Sequence, residues 1–293
     1  MNTKKTKIKE PFLLRAIKWS YPKIECIAPP VAHHLAWNLF FSPFRFKRPV
    51  RENEAFDLAK KSTIEVNSMA TESKKVMLYE WGTLGNPVAV VAHGWSGRAT
   101  QFYKFIQPLL NKGYHVIGFD APAHGLSEGK STNILEFYQV LFHIGKNIGS
   151  IKIGIGHSFG GVSLLYAKKE GLKLDSVIMI ASPTVGEDIL TNFRKKINAS
   201  PRTSIALRKM VVKKFKLDFE EITACELAKQ ITLKNLLIIH DKDDLEVPPR
   251  NAELLHQLKP NSELMLTNGL GHTRILRDEL VVDRTLKFIE KYN

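Results

Sequence analysis

The sequence Gly-His-Ser-Phe-Gly at residues 156–160 holds a serine in a setting that suits nucleophilic chemistry. It follows a short apolar run of β-branched residues and opens a helical pattern. A sharp strand-to-helix turn needs residues without side chains on either side of its apex, and Gly156 and Gly160 supply them. Such a turn lifts the hydroxyl of its central residue above a sheet, so we interpret Ser158 as a nucleophile.

A serine hydroxyl is a weak nucleophile near neutral pH and needs a general base. Among ten histidines, His272 is the best candidate, because it follows the last predicted strand in a glycine-flanked loop. The base in turn needs a carboxylate to orient it. The loop after the preceding predicted strand offers three, of which we choose Asp244. Asp241 and Asp243 stay open, because the sequence does not fix which side chain turns inward.

Negative charge that develops on an attacked carbonyl oxygen is best stabilised by backbone N–H groups. The first N–H group after the nucleophile is that of Phe159, at the start of the predicted helix. A second strand ends in His93-Gly94-Trp95 and also enters a helix. We predict the N–H groups of Trp95 and Phe159 as the oxyanion donors. The side chains of Trp95 and His157 are predicted to contact substrate.

Histidines recur at the ends of predicted strands, which raises the alternative of a metal site. These histidines show no i, i+4 pairing of the kind that holds a metal on a helix. We therefore expect no metal. The residues in question are His93, His124, His157, His240 and His272.

The elements that must position these residues alternate between short apolar runs and longer helical patterns. Strands are predicted at 76–81, 88–92, 116–119, 151–155, 176–180, 236–239 and 263–266. Helices are predicted at about 98–112, 132–147, 159–170, 249–258 and 275–291, with a charged helical region at about 184–233. This alternation predicts an α/β fold, in which a mostly parallel central sheet carries helices on both faces. Ligands bind such sheets at the carboxyl ends of the strands, where the candidate residues lie.

In these segments and their order, residues 76–290 resemble the α/β-hydrolase superfamily. Residues 93–95 look like its oxyanion loop, 120–127 like its D-x-P-G-x-G-x-S turn, and 156–160 like its nucleophile elbow. The segments around Asp244 and His272 look like its acid and base segments. Two positions depart from the pattern, since Ala123 and Asp241 stand where glycine is usual.

The resemblance implies an acyl-enzyme mechanism without a cofactor and a helical cap inserted at about 184–233. A serine at the elbow, where dehalogenases and epoxide hydrolases carry aspartate, implies cleavage of an ester, thioester or amide. We expect a carboxylesterase or thioesterase acting on a small-molecule acyl substrate. Two other interpretations stay open: a non-catalytic binding protein on the same fold, and a membrane-associated lipid esterase. The sequence reveals neither the acyl chain length nor the oligomeric state.

The residues divide into a basic, aromatic N-terminal extension at 1–73 and a hydrolase domain at 74–293. The net charge is +14, and residues 1–51 hold eleven Lys/Arg against two acids. No nucleic-acid module accompanies this charge, so we expect no specific nucleic-acid partner. The aromatic residues at 40–46 are expected either to pack on the main domain or to dip into a lipid interface.

The cysteine content and the apolar segments bear on location. Cys26 and Cys225 are too few and too far apart for a disulfide framework, which favours a reducing compartment. The basic N-terminus lacks a signal-peptide pattern, and the apolar stretch 26–41 is too short and too polar to span a bilayer. We expect a cytoplasmic protein, with peripheral contact to an anionic membrane left open.

Overall fold

The computed structural model describes residues 12–67 and 73–292. At its centre lies one eight-stranded sheet with strand order β1-β2-β4-β3-β5-β6-β7-β8. The strands are β1 Lys60–Val66, β2 Lys74–Trp81, β3 Val88–Ala92, β4 His115–Asp120, β5 Ile151–His157, β6 Leu174–Ile180, β7 Asn235–Asp241 and β8 Glu263–Thr267. Strand β2 pairs antiparallel with β1 and β4, and all other pairings are parallel. The predicted α/β class with a mostly parallel sheet is confirmed.

Helices cover both faces of this sheet, which is why its central strands are continuous apolar runs. Every residue of β3 and β4 is buried. Helices α5, α6, α9 and α10 pack on one face, and α3, α4 and α12 on the other. The helices are α1 Phe12–Ile27, α2 Pro29–Phe41, α3 Asn53–Leu58, α4 Tyr103–Asn111, α5 Ile134–Ile148, α6 Phe159–Lys169, α7 Gly186–Ile197, α8 Pro201–Phe215, α9 Ala224–Gln230, α10 Arg250–Leu258, α11 Gly271–Arg274 and α12 Glu279–Tyr292.

A second, smaller core joins the N-terminal helices to the cap region. Tyr21 and Trp37 of α1 and α2 are buried together with Leu190 and Leu207 of α7 and α8. Helix α9 belongs instead to the main core, although it falls within the segment predicted as cap. We therefore use "cap" for α7 and α8 alone. The aromatic residues at 40–46 differ in their environment. Phe40 and Phe41 pack against this core, whereas Phe44 and Phe46 are exposed.

The sheet begins before the boundary drawn from the sequence at residues 73 and 74. Strand β1 forms a hairpin with β2, in register from Lys60 opposite Glu80 to Val66 opposite Lys74. The sequence reasoning missed β1 because most of its residues are polar and only Val66 is buried, as suits an edge strand. In the described ranges, no helix combines the length and apolar character needed to cross a bilayer.

Candidate active site

Ser158 is the single residue between the end of β5 at His157 and the start of α6 at Phe159. Its backbone has φ 51° and ψ −120°, a conformation that residues with a side chain rarely adopt. The turn is anchored by the N–H group of Ser158, which donates to the carbonyl of Ile180 on β6 at 2.8 Å. This geometry is the strained strand-to-helix elbow that raises a nucleophile above the sheet.

Two glycines allow the elbow to form. A Cβ atom at Gly160 would lie 2.0 Å from the carbonyl oxygen of Ala92 at the end of β3. A Cβ atom at Gly156 would lie 2.4 Å from the backbone of Gly161. Both distances are far below van der Waals contact, so the turn accommodates no side chain at either position.

The predicted acid and base are in direct contact. His272 Nδ1 donates to Asp244 Oδ2 at 2.8 Å, and Oδ1 of Asp244 accepts the N–H groups of Glu246 and Val247 at 2.8 and 2.9 Å. Burial opposes ionisation of Asp244, but the hydrogen bonds from His240 and His272 outweigh it and hold its pKa well below the usual range. The carboxylate therefore stays charged and fixes the imidazole with its proton on Nδ1, which leaves Nε2 free to accept one.

The two rival carboxylates hold the backbone of the loop that carries the base. Asp241 accepts the N–H groups of Leu270 and Gly271 at 3.0 and 2.9 Å. Asp243 accepts the N–H group of Gly269 at 2.7 Å. Neither hydrogen-bonds the imidazole of His272. The structure thus places Asp244 against the imidazole of His272, whereas Asp241 and Asp243 hold the backbone of the loop.

The loop that carries His272 is tied to the elbow through the residue that precedes Ser158. His157 Nε2 donates to the carbonyl of His272 at 2.8 Å, and the two rings lie 4.8 Å apart between centroids. The ring of His157 is only 5% exposed and lies against this loop, so a contact with substrate stays a prediction. The hydroxyl of Ser158 makes no hydrogen bond with any described residue.

The two N–H groups predicted as oxyanion donors lie beside the elbow. In residues 12–67 and 73–292, neither the N–H group of Trp95 nor that of Phe159 has an acceptor. The rings of these two residues meet edge to face at 5.6 Å between centroids. A Cβ atom at Gly94 would lie 2.8 Å from Cβ of Ser158, so the predicted oxyanion loop passes directly against Ser158.

Two buried histidines, which the sequence reasoning left without a role, fix the shape of this loop. His93 Nε2 accepts the N–H group of Ala121 at 2.9 Å, and its Nδ1 donates to the carbonyl of Gly94 at 2.7 Å. His124 Nε2 accepts the N–H group of Ser96 at 3.0 Å. Their recurrence at strand ends thus reflects bonds to backbone atoms. Within the described residues, no group of three His, Cys, Asp or Glu side chains is placed to hold a metal ion.

Buried neutral histidines make the fold sensitive to acid. Burial lowers the pKa of His93 and of His124, and burial together with the neighbouring His272 lowers the pKa of His157 to about 3. An unfolded histidine binds a proton near pH 6.5, whereas folded His157 stays neutral down to about pH 3. These neutral histidines therefore contribute their full stabilisation above pH 6.5. The free energy of unfolding declines as the pH falls below 6.5, by up to about 1.4 kcal/mol per pH unit for each histidine.

Urea unfolding between pH 7 and pH 5 measures this decline as a falling midpoint. The variant His157→Gln removes one of the three groups and is expected to give a shallower decline. A midpoint that stays constant across this range would contradict the prediction.

A segment of the N-terminal extension braces the oxyanion loop and the turn beside it. The guanidinium of Arg45 donates from Nε to the carbonyl of Ala123 at 3.0 Å and from Nη2 to the carbonyls of Ser127 and Gly129. The turn includes Ala123 at φ 66°, the position where glycine is usual. One residue earlier, the N–H group of Phe44 donates to Ser96 Oγ at 2.9 Å. We call residues 44–52 the brace.

Replacing Arg45 with alanine is expected to lower kcat about tenfold. The turn that Arg45 holds contacts the predicted oxyanion loop through the hydrogen bond from Ser96 to His124, so a shift of the turn would misplace a backbone donor. Loss of three hydrogen bonds to a charged group should also reduce the free energy of unfolding by about 1–3 kcal/mol. Steady-state kinetics well below the unfolding temperature separates the two effects. Lys47→Ala removes an exposed neighbouring charge and serves as the matched control. If both variants keep full kcat, the brace does not position the loop.

Known proteins agree with this architecture. The profile of the Alpha/beta hydrolase family matches residues 89–219. An esterase of Pyrococcus furiosus superimposes with a TM-score of 0.62 at 20% identity, over 86% of this chain and 97% of that one. A carboxylesterase structure from Nitrososphaera gargenis gives 0.56 at 20% identity, over 78% and 98%. A thioesterase domain from the curacin biosynthetic pathway gives 0.56 at 14% identity, over 79% and 99%.

Two human proteins share a shorter stretch of sequence. The serine hydrolase-like protein and the serine hydrolase-like protein 2 are each 33% identical to this chain over 87 residues, which is 28% of the chain. The matched stretch spans 42% and 27% of their respective lengths, less than half of either. The solved structures share the fold of this chain. The matched part of the family profile includes the predicted oxyanion loop, the elbow and the cap. The order of strands, the elbow between β5 and α6 and the resemblance to this profile and to these structures together show that the chain has the α/β-hydrolase fold.

Proposed function

We propose that the protein is a serine hydrolase that cleaves a carboxylic ester or thioester through an acyl-enzyme intermediate. Ser158 is the nucleophile, His272 the base and Asp244 the acid. The observation that carries the proposal is the 2.8 Å hydrogen bond between His272 and Asp244 on a loop tied to the elbow of Ser158. The esterase and thioesterase structures that share the fold support this reaction class.

The reaction follows from the arrangement of these groups. Ser158 Oγ attacks the substrate carbonyl carbon as His272 Nε2 accepts the hydroxyl proton. Asp244 stabilises the imidazolium, and the N–H groups of Trp95 and Phe159 bind the oxyanion. The tetrahedral intermediate collapses, the bond to the leaving oxygen or sulfur breaks, and His272 delivers the proton to it. Water then attacks the acyl-enzyme with His272 as base, which releases the carboxylic acid and restores Ser158.

The surroundings of the oxyanion donors favour an apolar acyl group. The ring of Phe159 meets that of Phe137 at 5.0 Å as well as that of Trp95, so aromatic edges and faces border the elbow. An apolar acyl chain gains about 0.8 kcal/mol for each methylene that leaves water. A panel of p-nitrophenyl esters is therefore expected to show kcat/KM rising with acyl chain length until the pocket is filled.

Labelling with a fluorophosphonate probe tests whether the site is catalytic. Such a probe phosphonylates only a serine activated by a base, so we expect mass spectrometry to find the label on Ser158. The alternative, a binding protein on the same fold, predicts no label and no hydrolysis of any ester in the panel. Label on a different serine would contradict the assignment of the nucleophile.

A further inference from the structure

The outward side of α1 carries large apolar side chains that no described residue covers. Phe12, Trp19 and Ile27 are 84%, 70% and 84% exposed. The opposite side of the helix is buried against the cap through Tyr21 and Glu25. Exposed aromatic and aliphatic residues on one helix mark an interaction site more often than an inert surface.

Positive charge accompanies these apolar groups. Phe12, Arg15, Trp19, Lys23 and Ile27 follow one another at spacings of three and four residues, so they share one side of α1. We call these five residues the outer face of α1. Lys23 Nζ lies 3.2 Å from the ring centroid of Trp19.

The described residues of α1 and α2 carry no exposed acidic side chain. The one acid between residues 12 and 51 is Glu25. Its carboxylate is 8% exposed and accepts hydrogen bonds from Ser200 at 2.8 Å and from Thr203 at 2.7 Å. No acidic side chain on α1 therefore opposes an anionic partner.

The second exposed helix of this region has the same character. Ile205 and Val212 of α8 are 56% and 45% exposed and lie seven residues apart, on one side of the helix. Arg202 and Lys209 flank them on that side, and residues 194–216 contain no acid. Apolar side chains beside basic ones, with no acids, thus recur on both helices.

We propose that the outer face of α1 docks on an anionic phospholipid bilayer. Phe12, Trp19 and Ile27 enter the boundary between headgroups and acyl chains, and Arg15 and Lys23 pair with lipid phosphates. A nucleic acid fits these observations less well, because aliphatic Ile27 gains nothing from a hydrated phosphate backbone. The inference is independent of the catalytic assignment, since it uses none of the site residues.

Side-chain contacts link α1 through the cap to the loop that carries Asp244. Helix α1 is joined to α8 by the hydrogen bond between Tyr21 and Thr203 at 2.8 Å. On the other side of the cap, Lys196 of α7 pairs with Glu246 at 3.0 Å, two residues from the acid Asp244. The bilayer-facing helix and the candidate site are therefore connected through the cap.

Co-sedimentation of the full chain with vesicles tests the proposal. We expect binding to vesicles of phosphatidylcholine mixed with phosphatidylglycerol, little binding to phosphatidylcholine alone, and weaker binding at high salt. Arg15→Glu with Lys23→Glu should weaken binding at least about tenfold. The matched control is Lys146→Glu with Lys173→Glu, which changes the net charge equally at exposed positions near the amino ends of β5 and β6. This control pair should bind within about twofold of the parent chain.

The apolar contribution is tested separately. Phe12→Ala with Trp19→Ala keeps the charge and is expected to weaken binding at least about tenfold. Lipids brominated in their acyl chains should quench tryptophan fluorescence in the parent chain and much less in Trp19→Phe, which keeps an aromatic ring and still binds. Circular dichroism of each variant verifies folding.

Three results would overturn the proposal. The first is equal weakening by the two charge-reversal pairs, which would show attraction to net charge alone. The second is unchanged vesicle binding after Phe12→Ala with Trp19→Ala. The third is tighter binding to a DNA duplex than to anionic vesicles at the same salt concentration, which would assign the surface to nucleic acid. Vesicle binding by Ser158→Ala should match that of the parent chain, which separates this test from that of catalysis.

Discussion

Replacing Ser158 with alanine is expected to lower kcat for ester hydrolysis by about 10⁵-fold or more. The variant loses the atom that forms the acyl-enzyme, while the proposed oxyanion donors stay in place. Residual hydrolysis above the uncatalysed rate should come from those donors alone. Pre-steady-state kinetics with a p-nitrophenyl ester should also lose any burst of p-nitrophenol that the parent chain shows.

Ser163 offers a matched control on the same helix. It is fully buried one turn after Phe159 and donates from its hydroxyl to the Phe159 carbonyl at 2.8 Å. Ser163→Ala removes a hydroxyl without touching the nucleophile and should keep kcat within a few-fold of the parent value. The nucleophile is assigned wrongly if purified Ser158→Ala retains more than about a hundredth of parent activity.

The variant Asp244→Asn is expected to lower kcat by about 10³–10⁴-fold. An asparagine amide can donate to Nδ1 of His272, which favours the tautomer with its proton on Nε2 and so removes the acceptor for the serine proton. The imidazolium that forms during the reaction also loses its counter-charge. Steady-state kcat and KM, measured beside circular dichroism, show whether the loss is catalytic.

The neighbouring carboxylate Asp243 provides the comparison. Asp243→Asn removes the charge that accepts the Gly269 N–H group but keeps an oxygen acceptor, so we expect less than about a tenfold loss of kcat. This pair of variants decides between Asp243 and Asp244, two of the three carboxylates that the sequence left open. If Asp243→Asn is as damaging as Asp244→Asn, the acid must be reassigned.

The fold could be predicted from the sequence because local patterns and tertiary structure agree in its centre. Buried parallel strands such as β3 and β5 are short apolar runs between helical patterns, and these runs predict strands directly. Strand β1 has no such run, because an edge strand exposes most of its side chains. Helix α9 falls within the segment that the family resemblance implies as a cap, and its short helical pattern does not show whether its apolar side packs on the sheet layer or away from it.

Residues of the candidate site could be predicted from the sequence only where they directly follow a predicted strand. Ser158 has a sequence context of its own, whereas the choice of Asp244 over Asp241 depends on how one loop folds back on another. The roles of His93, His124 and Arg45 could not be predicted, because their partners are backbone carbonyl and N–H groups. Any residue supplies such groups, so these contacts leave no pattern in the sequence.

The brace changes how the boundaries of this protein should be understood. Glu52 accepts a hydrogen bond from the hydroxyl of Thr100 at 2.8 Å, and Arg98 donates to the carbonyl of Phe46 at 2.6 Å. Hydrogen bonds therefore join the brace to residues beyond the predicted boundary at 73 and 74. A shortened chain beginning at residue 74, the start that the family resemblance alone would suggest for recombinant expression, would lack these partners and its outermost strand. We expect such a fragment to be poorly soluble and inactive even though all three proposed catalytic side chains are present. We therefore expect the functional unit of this protein to be larger than the α/β-hydrolase scaffold that it contains.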